Sequence, residues 1–507
     1  MWSVSATTNR WHLAVALAVM AAVIFVYLPF FNAFAVPYPD FFQYREHALW
    51  YLHGRLPEYF KRLPLFPLLM GPVSLIMPGS EPELLAAELL NLLLAPLCLW
   101  LLYRIARRFV GLASSIVIVA VVAVNRTMVY AAVEPNVEMI LLATVLLATD
   151  LALRGSAWVY VAAFLASFTR FDAALIIPFV ALRDWLGHVG PRRIKSMLWA
   201  VLASVGVVVW LVLSVRHSPL TSSYAEELST RTGHPADFVK GLVGIIAEAL
   251  PGYAAWPLPI VRITALTELT LIVVGSWVLL RRQRLSAIML LGFGCSYVFI
   301  HTLFPSYLDR YVLPVLWIGY LAIAAAVEQA VALLRPRADK GRRWISAWVV
   351  ALLAGVMTSS SLAASIQFMQ SDYVRIKRAT FRQVGQWYRN TARPDDKLIV
   401  TLWRVVGYYS GPRASQVFHT GWLHSNSVSE LVNELAAQGV TYVVWDNQYD
   451  RPDSYDARRY KGYLCSMLQA SYPEGLELVK RFKAGTEEAI VYRFHPPLRR
   501  FHPRAQP

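Results

Sequence analysis

Long apolar runs separated by short polar links make up most of this chain. A transmembrane helix needs about 20 predominantly apolar residues, with about 17 as the lower limit. On that criterion the pattern predicts a polytopic α-helical membrane protein with about eleven spans, of which the run at 156–169 is the weakest. The predicted spans are 12–36, 82–103, 110–124, 137–153, 156–169, 172–186, 197–215, 261–280, 286–304, 311–333 and 344–366.

One apolar stretch is not expected to cross the membrane. Residues 63–79 contain several prolines and glycines among their leucines. Proline inside a helix removes a backbone hydrogen bond, which lipid cannot replace. We therefore interpret 63–79 as a re-entrant or interfacial segment within the first external loop, 37–81.

The pattern changes after about residue 366. Ser427-Val-Ser-Glu430 is a capping box, and the apolar positions after it repeat at helical spacing up to Gly439. Val440–Trp445 is a β-branched and aromatic run typical of a buried strand, and two further strand-like runs follow at 476–482 and 489–494. We predict a transmembrane domain at 1–366 and a small α/β domain at 367–507.

Composition and charge agree with a membrane protein. Hydrophobic residues make up 57% of the 507 and charged residues 16%, against roughly 25% charged in ordinary soluble chains. The formal charge of +16 does not indicate nucleic-acid binding, because much of the basic excess lies in short clusters at the ends of alternate spans, as the positive-inside rule predicts. This orientation places the first external loop and the C-terminal domain on the non-cytoplasmic side. The clusters are at 104–108, 192–195, 281–284 and 335–343.

Asp40 follows directly on the first apolar run and is expected at the membrane surface. A carboxylate there is costly unless it is solvated, paired or used in function. Inverting sugar transfer from a sugar phosphate needs a base to take the acceptor's hydroxyl proton and cations to hold the departing phosphate. Asp40 is our candidate for the base. The alternative is a structural role, as the cap of a helix over 41–53.

Several short motifs together resemble the GT-C glycosyltransferases, and within them the bacterial protein-mannosyltransferase-like and aminoarabinose-transferase-like branch (glycosyltransferase family 39-like). The motifs are Asp40-x-x-x-Tyr44 with Arg62-Leu-Pro64, Glu134-Pro135, Arg170-Phe-Asp172 and Arg310-Tyr311. The resemblance implies that an acidic residue of the first external loop activates the acceptor and that the donor is a polyprenyl-phosphate sugar. Many members carry an acidic pair there, where this chain has Asp40-Phe41-Phe42.

Glu134 is the second candidate for a catalytic residue. Glu134 and Glu138 are four residues apart, so we expect them on one face of the fourth predicted helix. They could bind the acceptor or, with Asp40, hold Mg²⁺ or Mn²⁺ through oxygen ligands. The alternative is a solvated helix start, where acidic residues favour the positive dipole end. No motif assigns a metal site, and no metal ligand is predicted.

The cations on the external side are the candidates for binding the phosphate. Lys61, Arg62, Arg170 and Arg310 fall where the positive-inside rule disfavours them. The arginine fork suits two-point binding of a phosphate. Alternatively, Arg170 pairs with Asp172 or Glu134, Arg310 pairs with Asp309, and Lys61 and Arg62 bind lipid headgroups.

Aromatic residues complete the candidate substrate-binding set. Tyr44 lies one turn from Asp40 and could orient it or the sugar, or could be an interfacial aromatic. Tyr311 follows Arg310 in the motif that carries the resemblance. In the tail, Tyr408, Tyr409, Trp422 and Trp445 suggest a sugar-binding surface, although aromatics at strand ends more often belong to a core.

The sequence therefore favours an inverting membrane glycosyltransferase. Its expected partners are membrane lipid, a polyprenyl-phosphate sugar donor and a glycan, lipid or protein acceptor. The expected location, implied by the resemblance, is the bacterial inner membrane, with the C-terminal domain extracytoplasmic. Two alternatives are a flippase for lipid-linked sugars and a non-catalytic assembly protein. The flippase is disfavoured because ionisable residues gather at one membrane face, whereas transporters place their sites near the midplane.

Overall fold

A computed structural model of the chain describes residues 17, 18, 21, 24–217, 258–302, 309–334, 340–425, 427–450 and 460–497. Part of the first predicted span and most of the link before Arg310 lie outside these residues. The chain divides into two compact units, the first comprising 1–32 and 44–369 and the second 33–43 and 370–507.

The first unit is helical. Its helices coincide closely with the apolar runs of the sequence. The reason is that a backbone surrounded by apolar groups has to make its hydrogen bonds within its own segment, as a helix does. The helices are Pro82–Phe109, Leu112–Ala123, Arg126–Val133, Glu138–Leu153, Val159–Ser167, Ile176–Gly187, Pro191–His217, Leu258–Arg282, Arg284–Thr302, Leu313–Leu334 and Lys340–Met369, with Leu65–Ser74 before them and Pro39–Leu52 shared with the second unit.

Only some of these helices have the length of a membrane span. In the part of the chain that the structure describes, four helices are long and apolar enough to cross a membrane. The number rises to five if Leu112–Ala123 and Arg126–Val133, bent by 59°, count as one broken span. The predicted total of eleven stays a prediction. Leu65–Ser74, inside the segment expected to be re-entrant, has ten residues, too few to span.

Close helix contacts hold the first unit together. Pro82–Phe109 packs along Glu138–Leu153, and Leu258–Arg282 packs along Leu313–Leu334. At the second contact a Cβ on Gly275 would lie 1.8 Å from the carbonyl oxygen of Ala322. Only glycine fits this crossing, as small residues do at membrane helix interfaces.

In the described residues, the second unit is built on a five-stranded sheet, whose strands are β1 (Leu398–Val400), β2 (Val417–His419), β3 (Tyr442–Asp446), β4 (Leu476–Ala484) and β5 (Glu487–Phe494). The order of the strands in the sheet is β2-β1-β3-β5-β4. The first three strands in this order run parallel, and β5 pairs antiparallel with both β3 and β4. Both helices Val428–Gln438 and Tyr463–Ser471 contribute leucines to the buried core beside the sheet. The other α-helices in the described part of this unit are Asp372–Arg375, Ala379–Thr391 and Trp403–Ser410.

Local sequence signals explain several of these elements. The Ser427 side chain accepts a hydrogen bond from the backbone N–H of Glu430, and the following helix ends at Gly439 with φ +67°. This is the predicted capping box with its glycine stop. The predicted strands at 440–445, 476–482 and 489–494 correspond to β3, β4 and β5. The short strand β2 carries no sequence signal that we recognised.

A buried carboxyl group joins β1 to β3. The hydroxyl of Thr401 donates to Asp446 Oδ2 at 2.7 Å, and Asp446 Oδ1 accepts the backbone N–H groups of Gln448 and Tyr449 at 3.1 and 2.9 Å. Burial raises the pKa of Asp446 to about 6, although these hydrogen bonds act in the opposite direction. The folded unit therefore holds a proton on Asp446 at pH values where the unfolded chain has released it.

We expect the second unit to lose stability as the pH rises from about 4 to 6, because the unfolded chain has then released the proton that folded Asp446 keeps. Below pH 4 both states bind the proton and Asp446 costs nothing, whereas above its folded pKa of about 6 the charged group is disfavoured by about 3 kcal/mol. Asp446→Asn keeps the shape and removes the titration. Thermal unfolding of the purified chain between pH 4 and pH 7 should show a steeper loss of stability in the wild type than in this variant. Equal slopes would contradict the prediction. Burial alone would raise the pKa of Glu434, but hydrogen bonds from residues 424 and 425 lower it overall. Glu434 therefore adds stability as the pH rises, and it does so equally in the wild type and in Asp446→Asn.

Candidate active site

Two arginines and two carboxylates form a largely buried charge network in the first unit, in which Glu138 and Arg310 are buried and Arg170 and Asp172 are partly exposed. Arg170 donates from Nε and Nη2 to the two carboxylate oxygens of Asp172, at 3.2 and 2.7 Å. Its Nη1 lies 3.5 Å from Glu138 Oε1, and Arg310 Nε lies 3.4 Å from the same oxygen. Glu138 therefore links the two arginines that the sequence singled out as phosphate-binding candidates. We call these four residues the arginine cluster.

Helix ends bring the cluster together. Glu138 begins the helix Glu138–Leu153, and Arg170 directly precedes the short 3-10 helix Phe171–Leu175. Arg310 lies in another short 3-10 helix, Asp309–Val312, before the helix Leu313–Leu334. At the ends of apolar helices, charged side chains can contact one another without facing lipid.

Aromatic and imidazole rings surround the cluster. The guanidinium groups of Arg170 and Arg310 lie 4.5 and 5.5 Å from the ring centroid of Tyr311. The His301 ring stacks on Tyr311 with centroids 4.7 Å apart and an interplanar angle of 19°. Nε2 of His301 lies 2.8 Å from Asp172 Oδ2, which also accepts the hydroxyl of Tyr297 at 3.0 Å. Tyr311 thus provides an aromatic face for both arginines.

The sequence analysis did not identify His301 and Tyr297 as candidates. They are four residues apart on the helix Arg284–Thr302, so they share one of its faces. Two polar rings at this spacing inside an apolar run were the signal available in the sequence.

Arg170 pairs with Asp172, which is one of the structural alternatives that the sequence left open for it.

The backbone around Glu134 is fixed by a buried asparagine that the sequence reasoning also missed. Asn91 Nδ2 donates to the carbonyl oxygens of Glu134 and Asn136, at 2.6 and 2.9 Å. Glu134 follows the last residue of Arg126–Val133, and the next long helix begins only at Glu138. The expectation that Glu134 and Glu138 share one face of a helix is therefore wrong, because Glu134 lies in the turn between two helices.

The remaining candidates of the first unit lie on and after the helix Pro39–Leu52. The Arg62 guanidinium is 5.4 Å from the ring centroid of Tyr44, whose ring meets Phe66 edge-on with centroids 5.4 Å apart. Tyr44, Lys61 and Arg62 are all buried. Burial of both cations fits a ligand or a structural partner better than contact with loose lipid headgroups.

Asp40 belongs to the second unit. It is half-buried in the first turn of the helix Pro39–Leu52, whose first residues cluster with that unit. Within the unit, Arg378 lies 4.9 Å from the Tyr38 ring centroid, and Phe42 meets Tyr408 at 5.3 Å between ring centroids. Arg382 Nη1 donates to the carbonyl of Ala35 at 3.2 Å. These contacts hold the segment around Asp40 in a defined conformation.

Metal binding has no matching donor set in the described residues. Within those ranges, no three His, Cys, Asp or Glu side chains are grouped so that they could hold a metal ion.

Comparison of the fold with solved structures gives three informative neighbours. The archaeal oligosaccharyltransferase AglB from Archaeoglobus fulgidus, in complex with an inhibitory peptide and a dolichol-phosphate, has a TM-score of 0.59 at 12% identity, over 94% of this chain and 73% of AglB. ArnT from Cupriavidus metallidurans bound to undecaprenyl phosphate has a TM-score of 0.55 at 16% identity, over 96% of this chain and 98% of ArnT. The chain has the GT-C fold.

A third GT-C neighbour supports the same fold. The arabinofuranosyltransferase AftD from Mycobacteria has a TM-score of 0.54 at 15% identity, over 98% of this chain but only 40% of AftD. No family model matches the sequence. No curated protein matches it at a significant level. The likeness to these proteins is therefore one of fold, shown by tertiary structure.

Proposed function

We propose that this chain is an integral membrane glycosyltransferase that takes its sugar from a polyprenyl-phosphate donor, whose phosphate binds at Arg170 and Arg310. The observation that carries the proposal is the arginine cluster, in which the buried Arg310 and the largely buried Arg170 are joined through Glu138 in a helical unit of GT-C fold. Charged groups buried among membrane helices are costly and are usually retained for function.

The distances within the cluster favour anion binding. Both arginines approach Glu138 at 3.4 to 3.5 Å, beyond the 2.7–2.9 Å of a direct charge-assisted hydrogen bond. A phosphate oxygen bridging the two guanidinium groups would make shorter bonds than Glu138 does. Asp172 holds Arg170 at 2.7 Å and so keeps its planar fork in one orientation. His301 and Tyr297, bonded to the same carboxylate, fix Asp172 in turn.

The proposed reaction assigns each residue a part. Asp40 takes the proton of the acceptor hydroxyl, and the oxygen attacks the anomeric carbon of the donor from the face opposite the phosphate. The bond from the anomeric carbon to the phosphate oxygen breaks, and the electron pair leaves with the polyprenyl phosphate. The arginines stabilise the charge that builds on the phosphate. Glu134 contributes to acceptor binding, with Tyr44, Lys61, Arg62 and Tyr311 completing the substrate contacts.

The ligands of the neighbours support the donor class. ArnT was solved with undecaprenyl phosphate and AglB with a dolichol-phosphate, both of them polyprenyl phosphates. Apolar helices are well suited to hold such a tail while charged groups bind its phosphate. We extend the proposal to an acceptor that is a glycan, a lipid or a protein hydroxyl.

The proposed location follows from charge and hydropathy. Basic clusters at the ends of alternate apolar runs favour a topology with the predicted domain 1–366 in the bilayer and 367–507 on the non-cytoplasmic side. The bacterial inner membrane is the location that the resemblance to the GT-C glycosyltransferases implies. The acceptor would then be a component of the cell envelope.

A transfer assay tests the proposal directly. The purified chain in lipid nanodiscs is mixed with radiolabelled polyprenyl-phosphate sugars and membrane extract, and the label is followed into glycolipid, glycan and protein fractions. Mass spectrometry of glycolipids and glycoproteins from cells with and without the gene identifies the natural product. Label that crosses the bilayer of proteoliposomes but never leaves the lipid carrier would instead establish a flippase and end the proposal.

A further inference from the structure

The carboxyl ends of three parallel strands meet at one edge of the sheet in the second unit. The order β2-β1-β3 means that the chain moves from β1 to one neighbour and then crosses to the other side. In open α/β sheets, ligands bind outside the carboxyl ends of the strands where the order reverses in this way. Here that point lies between β1 and β3, where Thr401 bonds to Asp446.

An aromatic platform lies along this edge. Trp422 ends the short 3-10 helix Thr420–Trp422 directly after β2, and Trp403 begins the helix that follows β1. Their ring centroids are 5.0 Å apart, and Trp422 also meets His419 at 5.9 Å and Phe418 at 6.4 Å. We call Trp403, Phe418, His419 and Trp422 the aromatic platform.

Trp422 is unusual in its exposure. It is 43% exposed, and in the described residues of the second unit only Leu478 is another exposed large hydrophobic. The rings of Trp403, Phe418 and His419 all lie within 6.4 Å of the indole, measured between centroids. A large apolar ring that is kept in place yet left open to solvent suits contact with a ligand.

The loop after Trp422 is anchored. The Glu434 carboxylate accepts the backbone N–H groups of His424 and Ser425, at 3.1 and 3.2 Å. Lys461 Nζ donates to the carbonyl oxygen of Leu423. Because these bonds fix the backbone directly after Trp422, little conformational entropy is lost at the platform when a ligand binds.

Polar groups border the platform. The Arg404 guanidinium lies 4.4 Å from the ring centroid of Trp403. The His419 ring also meets Tyr460, with centroids 5.6 Å apart. Guanidinium, imidazole and phenol groups are hydrogen-bonding partners for hydroxyl groups. The edge therefore combines a flat apolar face with a polar border.

We propose that the aromatic platform is a carbohydrate-binding subsite that takes a pyranose ring of a glycan chain. The C–H groups of one sugar face, slightly positive, stack on the negative face of the indole, while the ring hydroxyls reach the polar border. Resting on the proposed function, the inference further assigns the acceptor of the transferase to the glycan class.

Binding is measured without donor, so that it does not depend on transfer. The full-length chain in nanodiscs is tested by saturation-transfer difference NMR against maltotriose, cellotriose, chitotriose and mannotriose. We expect saturation of ring C–H protons in at least one saccharide and a loss of affinity of about tenfold in Trp422→Ala. Trp422→Phe should bind with an intermediate affinity. Trp158→Ala, which removes a 70% exposed indole of the first unit, is the matched control and should bind as the wild type does.

Three outcomes would overturn the inference. The first is that none of the four saccharides shows saturation transfer, and the second is that Trp422→Ala binds as tightly as wild type. The third is a change of oligomeric mass in Trp422→Ala by light scattering, which would make the platform a contact between copies of this chain. With transfer established, an unchanged KM for a glycan acceptor in Trp422→Ala would refute the acceptor assignment. Absence of transfer in every protein, with saccharide binding intact, refutes the proposed function alone.

Discussion

Replacing Arg310 with alanine should lower kcat/KM for transfer from a polyprenyl-phosphate sugar by about 10²- to 10³-fold. Removal of one donor aimed at developing negative charge typically costs that much. Arg310 is 6% exposed and lies 3.4 Å from Glu138, so the charge it supplies is poorly screened by water. The measurement is steady-state transfer with the purified chain in nanodiscs, at saturating acceptor and varied donor.

The alanine variant also leaves Glu138 without one of its two cations, and an uncompensated buried charge can unfold a protein. The double variant Arg310→Ala/Glu138→Gln removes both charges and separates the two effects. We expect it to unfold near the wild-type temperature but to stay inactive. Arg183→Ala is a matched control, since Arg183 pairs with Asp184 at 3.0 Å in the same unit but lies outside the cluster. Wild-type donor kinetics in the folded double variant would remove the cluster from the proposed mechanism.

Asp40→Asn should reduce transfer by about 10³-fold or more while leaving expression and folding intact. General-base catalysis contributes about 10²- to 10⁴-fold, and an amide cannot accept the acceptor's proton. The helix begins at Pro39, so Asp40 lies inside its first turn and is not the cap of a helix over 41–53 that the sequence offered as the alternative. A negative charge there stabilises a helix by only about 0.3–1 kcal/mol, so a purely structural role of Asp40 predicts little change in transfer. The substitution therefore distinguishes the catalytic role from a purely structural one.

Donor binding provides a second measurement for the same variant. A base that acts on the acceptor stabilises the transition state rather than the bound donor, so the Kd for the donor should stay at the wild-type value. Asp372→Asn is the control, because Asp372 is also an acidic residue in the first turn of a helix of the second unit. Full turnover in Asp40→Asn would end its assignment as the base and leave the arginine cluster to be judged by its own variants.

The helical part of the fold follows largely from local information. Runs of apolar residues have to satisfy their backbone hydrogen bonds internally, so their positions predict helices almost without reference to the rest of the chain. The capping box at Ser427 and the β-branched run of β3 are similarly local. The strand β2 has only three residues and was missed, because pairing with β1, rather than its own composition, makes it a strand.

The candidate site was predictable only in part. Arg170 and Arg310 stood out because cations are disfavoured on the external side, and the structure brings them to one carboxylate, Glu138. His301 and Asn91 did not stand out, since a lone polar residue in an apolar run has no partner that sequence spacing can identify. Their partners are 129 residues away, at Asp172, and 43 residues away, at Glu134.

By itself the sequence determined that this is a helical membrane protein with an α/β tail, because hydropathy, charge placement and capping act over a few residues at a time. Only the tertiary structure decided which charges share a network and which unit each candidate belongs to. Glu134 lies in a turn rather than on the helix face expected for it, and Asp40 belongs to the second unit. Electrostatic and aromatic contacts of this kind depend on distances between segments far apart in the chain, and no local pattern encodes them.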